Sequence, residues 1–204
     1  MSSLIHLRVR ALTCRVAALT CLCVLASAGV AFADCPAQST STPFSQWGDT
    51  NSYFLVPGGN FEGTPDQVGW TLSGASLTPG NEPFYVDGSG DSQSLTISAG
   101  GTATSPYFCV DNTMSDLRFF AQETTGGSDL LVQALVQTPN GVQTVPVEDL
   151  ADGSMPSWAP TQPVGDTGQL PDGDTVMVAL QFSVPQSAGS WQLDDVYVDP
   201  YRSG

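Results

Sequence analysis

About ten short β-prone runs, each cut off from the next by a turn of Gly, Pro, Asn or Asp, hold this chain to one architectural class. The runs fall at 52–57, 70–72, 75–77, 83–86, 94–97, 103–110, 116–123, 129–138, 143–147, 174–184 and 190–199. Between them stand Pro79-Gly80, Asp87-Gly88-Ser89-Gly90, Ala99-Gly100-Gly101, Gly126-Gly127-Ser128, Pro139-Asn140-Gly141 and Pro171-Asp172-Gly173-Asp174. Gly supplies positive φ, Pro fixes φ and removes a donor, and Asn and Asp bond to their own backbone. No stretch repeats its apolar residues with a helical period. Strands at this spacing predict an all-β sandwich or barrel. The domain is expected over 52–200, preceded by an irregular arm at 34–51 and followed by a tail at 201–204. The longest piece without a strand pattern is 150–170.

Period-two alternation sorts the faces. Val176, Val178, Leu180, Phe182 and Val184 share one side of their run, as do Leu130, Val132, Ala134 and Val136, and Leu117, Phe119 and Ala121. These are the expected core. The opposite sets carry Arg118, Phe120, Gln122, Gln133, Gln137, Gln181, Leu131, Leu135 and Met177, neither oily nor charged. A plainly solvated sheet face would carry Thr, Lys and Glu.

The first 33 positions read as a secretory signal peptide. Arg8, Arg10 and Arg15 precede a small, apolar run, and Ala31-Phe32-Ala33 supplies an A-x-A cleavage site. The run is shorter than the ~20 residues a membrane-spanning helix needs, so no membrane span is expected. Beyond it, Arg118 and Arg202 stand against all 20 acidic residues, with no lysine and no histidine. Such a surface repels nucleic acid and anionic membranes and attracts divalent cations. Cys35 and Cys109 are the two cysteines left, and in an oxidising compartment they are expected to pair.

Subtraction narrows the chemistry. Without histidine or lysine there is no Ser-His-Asp triad, Ser-Lys dyad or histidine-ligated zinc. No Gly-rich loop between a strand and a helix offers a phosphate cradle. Glycoside hydrolysis needs two carboxyl groups flanking one bond. Asp194 and Asp195 are neighbours on a strand and point to opposite faces, and nothing in the spacing of Glu82, Glu123 or Glu148 favours a pair. A non-catalytic protein is expected.

Two distant segments carry a family resemblance. Gly59-Asn60-Phe61-Glu62-Gly63, followed by Trp70, and the ending Trp191-Gln192-Leu193-Asp194-Asp195-Val196-Tyr197-Val198-Asp199-Pro200 resemble the opening and closing strands of the jelly-roll carbohydrate-binding modules, which are galactose-binding-like β-sandwiches. The likeness spans 53–200. It implies a single-domain antiparallel jelly-roll β-sandwich whose first and last strands pair. In that family a glutamate of the opening motif and an aspartate of the closing strand usually share calcium. The resemblance thus implies a structural calcium ion held by Glu62, Asn60 and Asp194 or Asp195, with carbonyls from the Gly-rich turn making up the oxygen shell. Asp194 is preferred because a regular strand puts it on the face of Val196 and Val198. Gly58 departs from the family, which usually has Asn there.

The resemblance also implies non-catalytic binding of a polysaccharide or cell-envelope glycan, outside the cell and associated with the wall. Arg118, Phe120, Gln122, Gln133, Gln137 and Gln181 would supply the contacts if their three strands are neighbours in one sheet. Tyr85, Phe84, Tyr107 and Trp158 would rim them. One alternative is a structural or adhesive envelope protein that docks other protein chains; another is a carboxylate glycoside hydrolase. The ending also resembles that of secreted actinobacterial proteins.

Overall fold

The computed structural model describes residues 35–110, 116–164, 175–185 and 187–200. The expected leader and the tail at 201–204 lie outside them, as does part of the long stretch at 150–170. The strands are β1 (Phe54–Leu55), β2 (Thr71–Pro79), β3 (Gln93–Thr104), β4 (Phe108–Val110), β5 (Leu117–Thr125), β6 (Leu130–Thr138), β7 (Gly141–Leu150), β8 (Ala159–Pro160), β9 (Val176–Ser183) and β10 (Ser190–Val198). All pairings among them are antiparallel, in the order β7-β6-β9-β3-β10-β5-β8, with β1 on β10, β2 on β3 and β4 on β9.

This curled sheet closes into the jelly-roll β-sandwich. Phe119 of β5 and Phe182 of β9 belong to strands separated by β3 and β10, yet their rings meet edge to face at 5.1 Å across the interior. The three expected core sets point inward together, joined by Leu95, Ile97, Trp191 and Leu193. Trp70 packs on Phe182 at 5.8 Å and donates its indole N–H to the Pro57 carbonyl, while Trp191 donates to Ser128. Both tryptophans are core, which removes them from ligand contact.

The long strand β3 serves both layers. Residues 93–98 pair with β2 and β10, whereas 102–104 pair with β2 and β9. The fold in the β2–β3 ribbon falls at Gly74 and Gly100-Gly101. A Cβ on Gly101 would lie 2.4 Å from the Gly74 carbonyl oxygen, so no side chain fits where the ribbon turns the corner.

The opening segment docks on the closing strand. Phe54 pairs with Val198 and Leu55 with Tyr197, and the ladder continues through Val56 N–H to Val196 O and Val196 N–H to Gly59 O. Gly59 is needed because a Cβ there would lie 2.9 Å from the Val196 oxygen.

Some sequence runs divide differently. Runs 70–72 and 75–77 form one strand, β2, with a bulge at Gly74. Run 103–110 breaks at Ser105-Pro106 into the end of β3 and β4, because Pro106 has no N–H to offer a ladder. Run 83–86 is a turn rather than a strand: the buried Glu82 carboxylate accepts the N–H groups of Phe84 and Val86. The helical turns Ser45–Trp47 and Pro65–Val68, and the two-residue strand β8, are too short to leave a periodic signature.

The arm packs over the outside of the β5–β10 layer and builds a second, smaller core. Phe44 stacks on Phe120 at 5.5 Å and meets Tyr53 and Tyr197 edge to face. Its start is fixed by a disulfide between Cys35 and Cys109, 74 residues apart. Replacing both cysteines by Ala is expected to lower unfolding free energy by about 4 kcal/mol, since a closed loop of this length restricts the unfolded chain. Urea unfolding of the variant, compared with the oxidised wild type, checks this. An unchanged midpoint would show that the bridge carries no stability.

Candidate functional site

Two features stand out: an acidic pocket beneath the loop after β2, and an uncharged polar row on the outer face of β5 and β10. Both are organised by the same strand.

β10 does not stay regular. Its register against β5 shifts between Asp194 and Tyr197, and Asp195 sits in the left-handed region at φ 49°. The extra residue changes the alternation. Leu193, Val196 and Val198 face the main core, while Tyr197 joins the outer cluster with Phe120, the cross-strand partner of Asp194. Asp194 therefore shares a side with Tyr197, not with Val196 and Val198 as a regular strand would have it. Its carboxylate accepts the amides of Glu82 and Asp195.

The bulge turns Asp195 toward Asp87 and Asp91, and carboxylate oxygens of the three residues lie within 4.8 Å of one another. Asp195 is 1% exposed, and neither of its oxygens accepts a well-formed hydrogen bond. Burial, and then the negative charges of Asp87, Glu82 and Asp91, push its carboxyl up to about 8, against the favourable Asp87 N–H. Burial followed by Asp195 pushes Asp194 up to about 9. Asp91 is likewise raised by burial, by Asp87 and by Glu62. Nearby donors go elsewhere: Asn60 and the Tyr197 hydroxyl both bond to Asp87. Three carboxylates with unused oxygen lone pairs and no adjacent cation are the donor set that a hard divalent ion takes. The residues fit calcium.

The acidic cluster differs in membership from the expected ligand set. Of Glu62, Asn60, Asp194 and Asp195, Asp195 alone belongs to the cluster. Glu62 instead clamps the start of β3, accepting the amides of Ser92 at 2.6 Å and Gln93 at 2.7 Å. Asp87 and Asp91 escaped the sequence reading because an Asp-Gly-Ser-Gly-Asp loop looks like any turn. The signal that would have found them is two acids four apart in one loop.

On the outer layer, side chains bridge from strand to strand. Gln122 of β5 donates to Gln192 of β10, Gln192 donates to Thr78 of β2 at 3.4 Å, and Thr78 and Thr96 share a 2.8 Å bond. Thr124 and Ser190 extend the row. It holds no charge, and its amides carry more donors and acceptors than these bonds use. Aromatic rings wall one end: Trp47, 36% exposed, lies against Phe120 at 5.4 Å and Phe84 at 4.9 Å, and Trp158 packs on the same cluster. Tyr85 is 51% exposed in the left-handed region at φ 54°, held there by the Glu82 clamp on its two neighbours.

The six expected ligand contacts are split. β6 and β9 are neighbours, but β5 is separated from them by β3 and β10. Gln133 and Gln181 face each other across β6 and β9, Gln181 bonds to Thr104, and Gln137 is exposed on β6. Arg118 and Phe120 are on β5 but buried under the arm, Arg118 beneath Phe44 at 4.2 Å and Phe120 against it. Gln122 remains on the open part of that face, half-buried and bonded to Gln192. Tyr85 rims the loop.

No protein-family model matches the sequence, and no curated protein matches it. Solved structures do resemble it. The CBM22-1 xylan-binding domain of Paenibacillus barcinonensis Xyn10C aligns with 83% of this chain and 100% of its own, at 17% identity and a TM-score of 0.50. The likeness is one of fold. A family 16 carbohydrate-binding module covers 71% of this chain and 98% of its own, at 20% identity and a TM-score of 0.46. The CBM22-1-GH10 modules of the Clostridium thermocellum xylanase 10B, solved with xylohexaose, align over 69% of this chain and 27% of theirs, at 16% identity and a TM-score of 0.49. The architecture is thus the one shared with that xylan-binding domain.

The buried acids set a sign for pH dependence. Asp194 and Asp195 hold protons in the folded state that the unfolded chain, titrating near 3.9, has already released. In protein stripped of divalent ions, the stability that these two protonated groups contribute is fully present below about pH 4. It is expected to fall as pH rises from there, and to be lost once pH passes about 8 to 9, where the folded groups ionise. Melting temperatures in a chelating buffer from pH 4 to 9 check this, and Asp195→Asn should flatten the slope. A flat wild-type profile would mean that these carboxyls are not strained by burial.

Proposed function

We propose that this is a secreted, non-catalytic glycan-binding protein that uses a structural calcium ion. The observation that carries the reading is the Gln122–Gln192–Thr78–Thr96 row, uncharged and walled by Trp47, Phe84 and Trp158. Sugar hydroxyls need donors and acceptors at close spacing, and the apolar face of a sugar ring needs a flat aromatic surface. Few polar groups beside apolar walls are the general form of such a site. The jelly-roll likeness to a xylan-binding domain supports a polysaccharide, and a cell-envelope glycan has the same chemistry. The Cys35–Cys109 bridge is consistent with life outside the reducing cytosol. No described helix is long and apolar enough to cross a membrane.

Calcium enters through Asp87, Asp91 and Asp195. Bound there it would supply positive charge to carboxylates that otherwise repel one another, tying β10 to the loop after β2. Its role in this reading is structural.

Affinity electrophoresis through gels containing xylan, mixed-linkage glucan or galactomannan tests the glycan reading. At least one polymer should retard the wild type, and Gln122→Ala with Gln192→Ala should weaken retention about tenfold, the loss of two to three net hydrogen bonds. Migration unchanged in every gel, run with calcium, would end it.

Calcium has its own measurement. Chelation should lower the melting temperature at pH 7.5, restored calcium should raise it again, and Asp195→Asn should respond to neither. Equal melting curves with chelator and with millimolar calcium would remove the ion from the reading.

A further inference from the structure

Beside the arm lies a concave groove of about 700 Å³, within the range in which small-ligand pockets fall. Trp47, Pro160, Asn51, Gln162, Arg118 and Asp49 line it, Asn51 and Gln162 exposed at its rim and Arg118 buried beneath. This groove is separate from the polar row. Arg118, Phe120 and Gln122 follow one another along one face of β5, and Trp47 stands over the middle residue. Arg118 and Gln122 are four residues apart, about 13 Å along a strand. The groove, at Arg118, and the row, at Gln122, therefore lie on either side of Phe120 along this face, with Trp47 packed on Phe120 between them.

The lower surface is already complete. Arg118 forms an ion pair with Asp49 through Nη1 and donates from Nε and Nη2 to the Thr161 carbonyl at 2.9 and 2.7 Å. Asp49 also accepts the Tyr53 hydroxyl at 2.7 Å and the Asn51 backbone N–H at 3.0 Å. The guanidinium lies on the Phe44 ring. Each charge has its partner, so this surface presents no net charge to a ligand. Arg118 is also the one basic side chain among the described residues. A uronate or phosphate entering here would meet no free cation and a strongly acidic protein around it. Asn51 and Gln162 are exposed, offer amides, and flank an exposed indole.

We propose that this groove is a second saccharide subsite, taking one neutral sugar ring against Trp47 with its hydroxyls on Asn51 and Gln162. It rests on the glycan-binding reading above and extends it. A ligand that fills both the groove and the row must pass over Trp47, so the protein selects oligosaccharides of neutral sugars over single sugars and over polyuronates. Because the ion pair beneath is fixed before binding, little ordering is left for the ligand to impose.

The test uses the full protein and two kinds of variant. Asn51→Ala with Gln162→Ala alters only exposed rim side chains. Trp47→Phe keeps the packing on Phe84 and Phe120 while shrinking the ring. Retention in gels of xylan, mixed-linkage glucan and galactomannan is compared with retention in polygalacturonate, after melting curves confirm each fold. Binding of the hexasaccharide from the best polymer is compared with that of its disaccharide. The wild type should bind the hexasaccharide at least tenfold more tightly than the disaccharide and ignore polygalacturonate. The rim variant should lose about tenfold on the hexasaccharide and little on the disaccharide. If the rim variant binds as the wild type does while the Gln122/Gln192 variant fails, the groove is no subsite and the glycan reading stands. Polygalacturonate retained as strongly as the neutral polymers would overturn the selectivity. A wild type that binds no polymer would overturn the reading and the subsite together.

Discussion

The docking of the opening segment on β10 sets the position of everything else in this molecule. Val56 and Gly59 hydrogen-bond to Val196, and β1 continues the ladder to Val198. The closeness of that approach leaves no room for a Cβ at Gly59. Just before the contact, β10 bulges at Asp195, and a left-handed aspartate in a buried strand is a strained conformation. Phe61, which follows the docked segment, is also left-handed, at φ 53°, and completely buried against Trp70. Closing the sandwich and aiming Asp195 at Asp87 and Asp91 are thus one structural event.

The small outer core explains why the face of β5 divides into a buried half and an open half. Phe44 comes from the arm and Tyr53 from the residue just before β1, Phe120 and Tyr197 from the layer itself, and none could be buried without the other pair. Arg118 enters this cluster through its pair with Asp49 and its place on Phe44. A lone cation buried in an acidic protein would be costly unless paired and hydrogen-bonded. Here it is both, and it anchors the arm at Asp49 to the segment at Thr161. What the arm leaves uncovered is the uncharged row beginning at Gln122.

Much of this was legible in the sequence, and the parts that were not have physical causes. Period-two alternation found the inward sets of β5, β6 and β9, because each strand is long enough to show a period and buries one face. The family resemblance tied Gly59 to the closing strand across more than a hundred positions, which no local pattern could do. Alternation failed at Asp194 and Asp195, since one inserted residue reverses every later assignment and a bulge leaves no compositional mark. It failed again at Arg118 and Phe120. The sequence shows which face of β5 they occupy, but whether that face meets solvent depends on an irregular arm some 70 positions earlier. The Gln residues of β5, β6 and β9 look alike in sequence and are parted only by strand order, which is a property of long-range pairing.

The acidic pocket and the polar row are linked through the loop at 80–92. Its first part holds Glu82, whose amide bonds to Asp194 and whose carboxylate fixes Phe84 and Val86 around the strained Tyr85. Its later part supplies Asp87 and Asp91 to the pocket, and ends where Glu62 grips Ser92 and Gln93. The same loop therefore carries one wall of the polar row and both carboxylates beside Asp195. On β10, Gln192 and Asp194 are two residues apart on one face, so the row and the pocket are also joined through the strand. The loop that joins the two sites is pinned at both ends by carboxylates, the buried Glu82 and the half-buried Glu62.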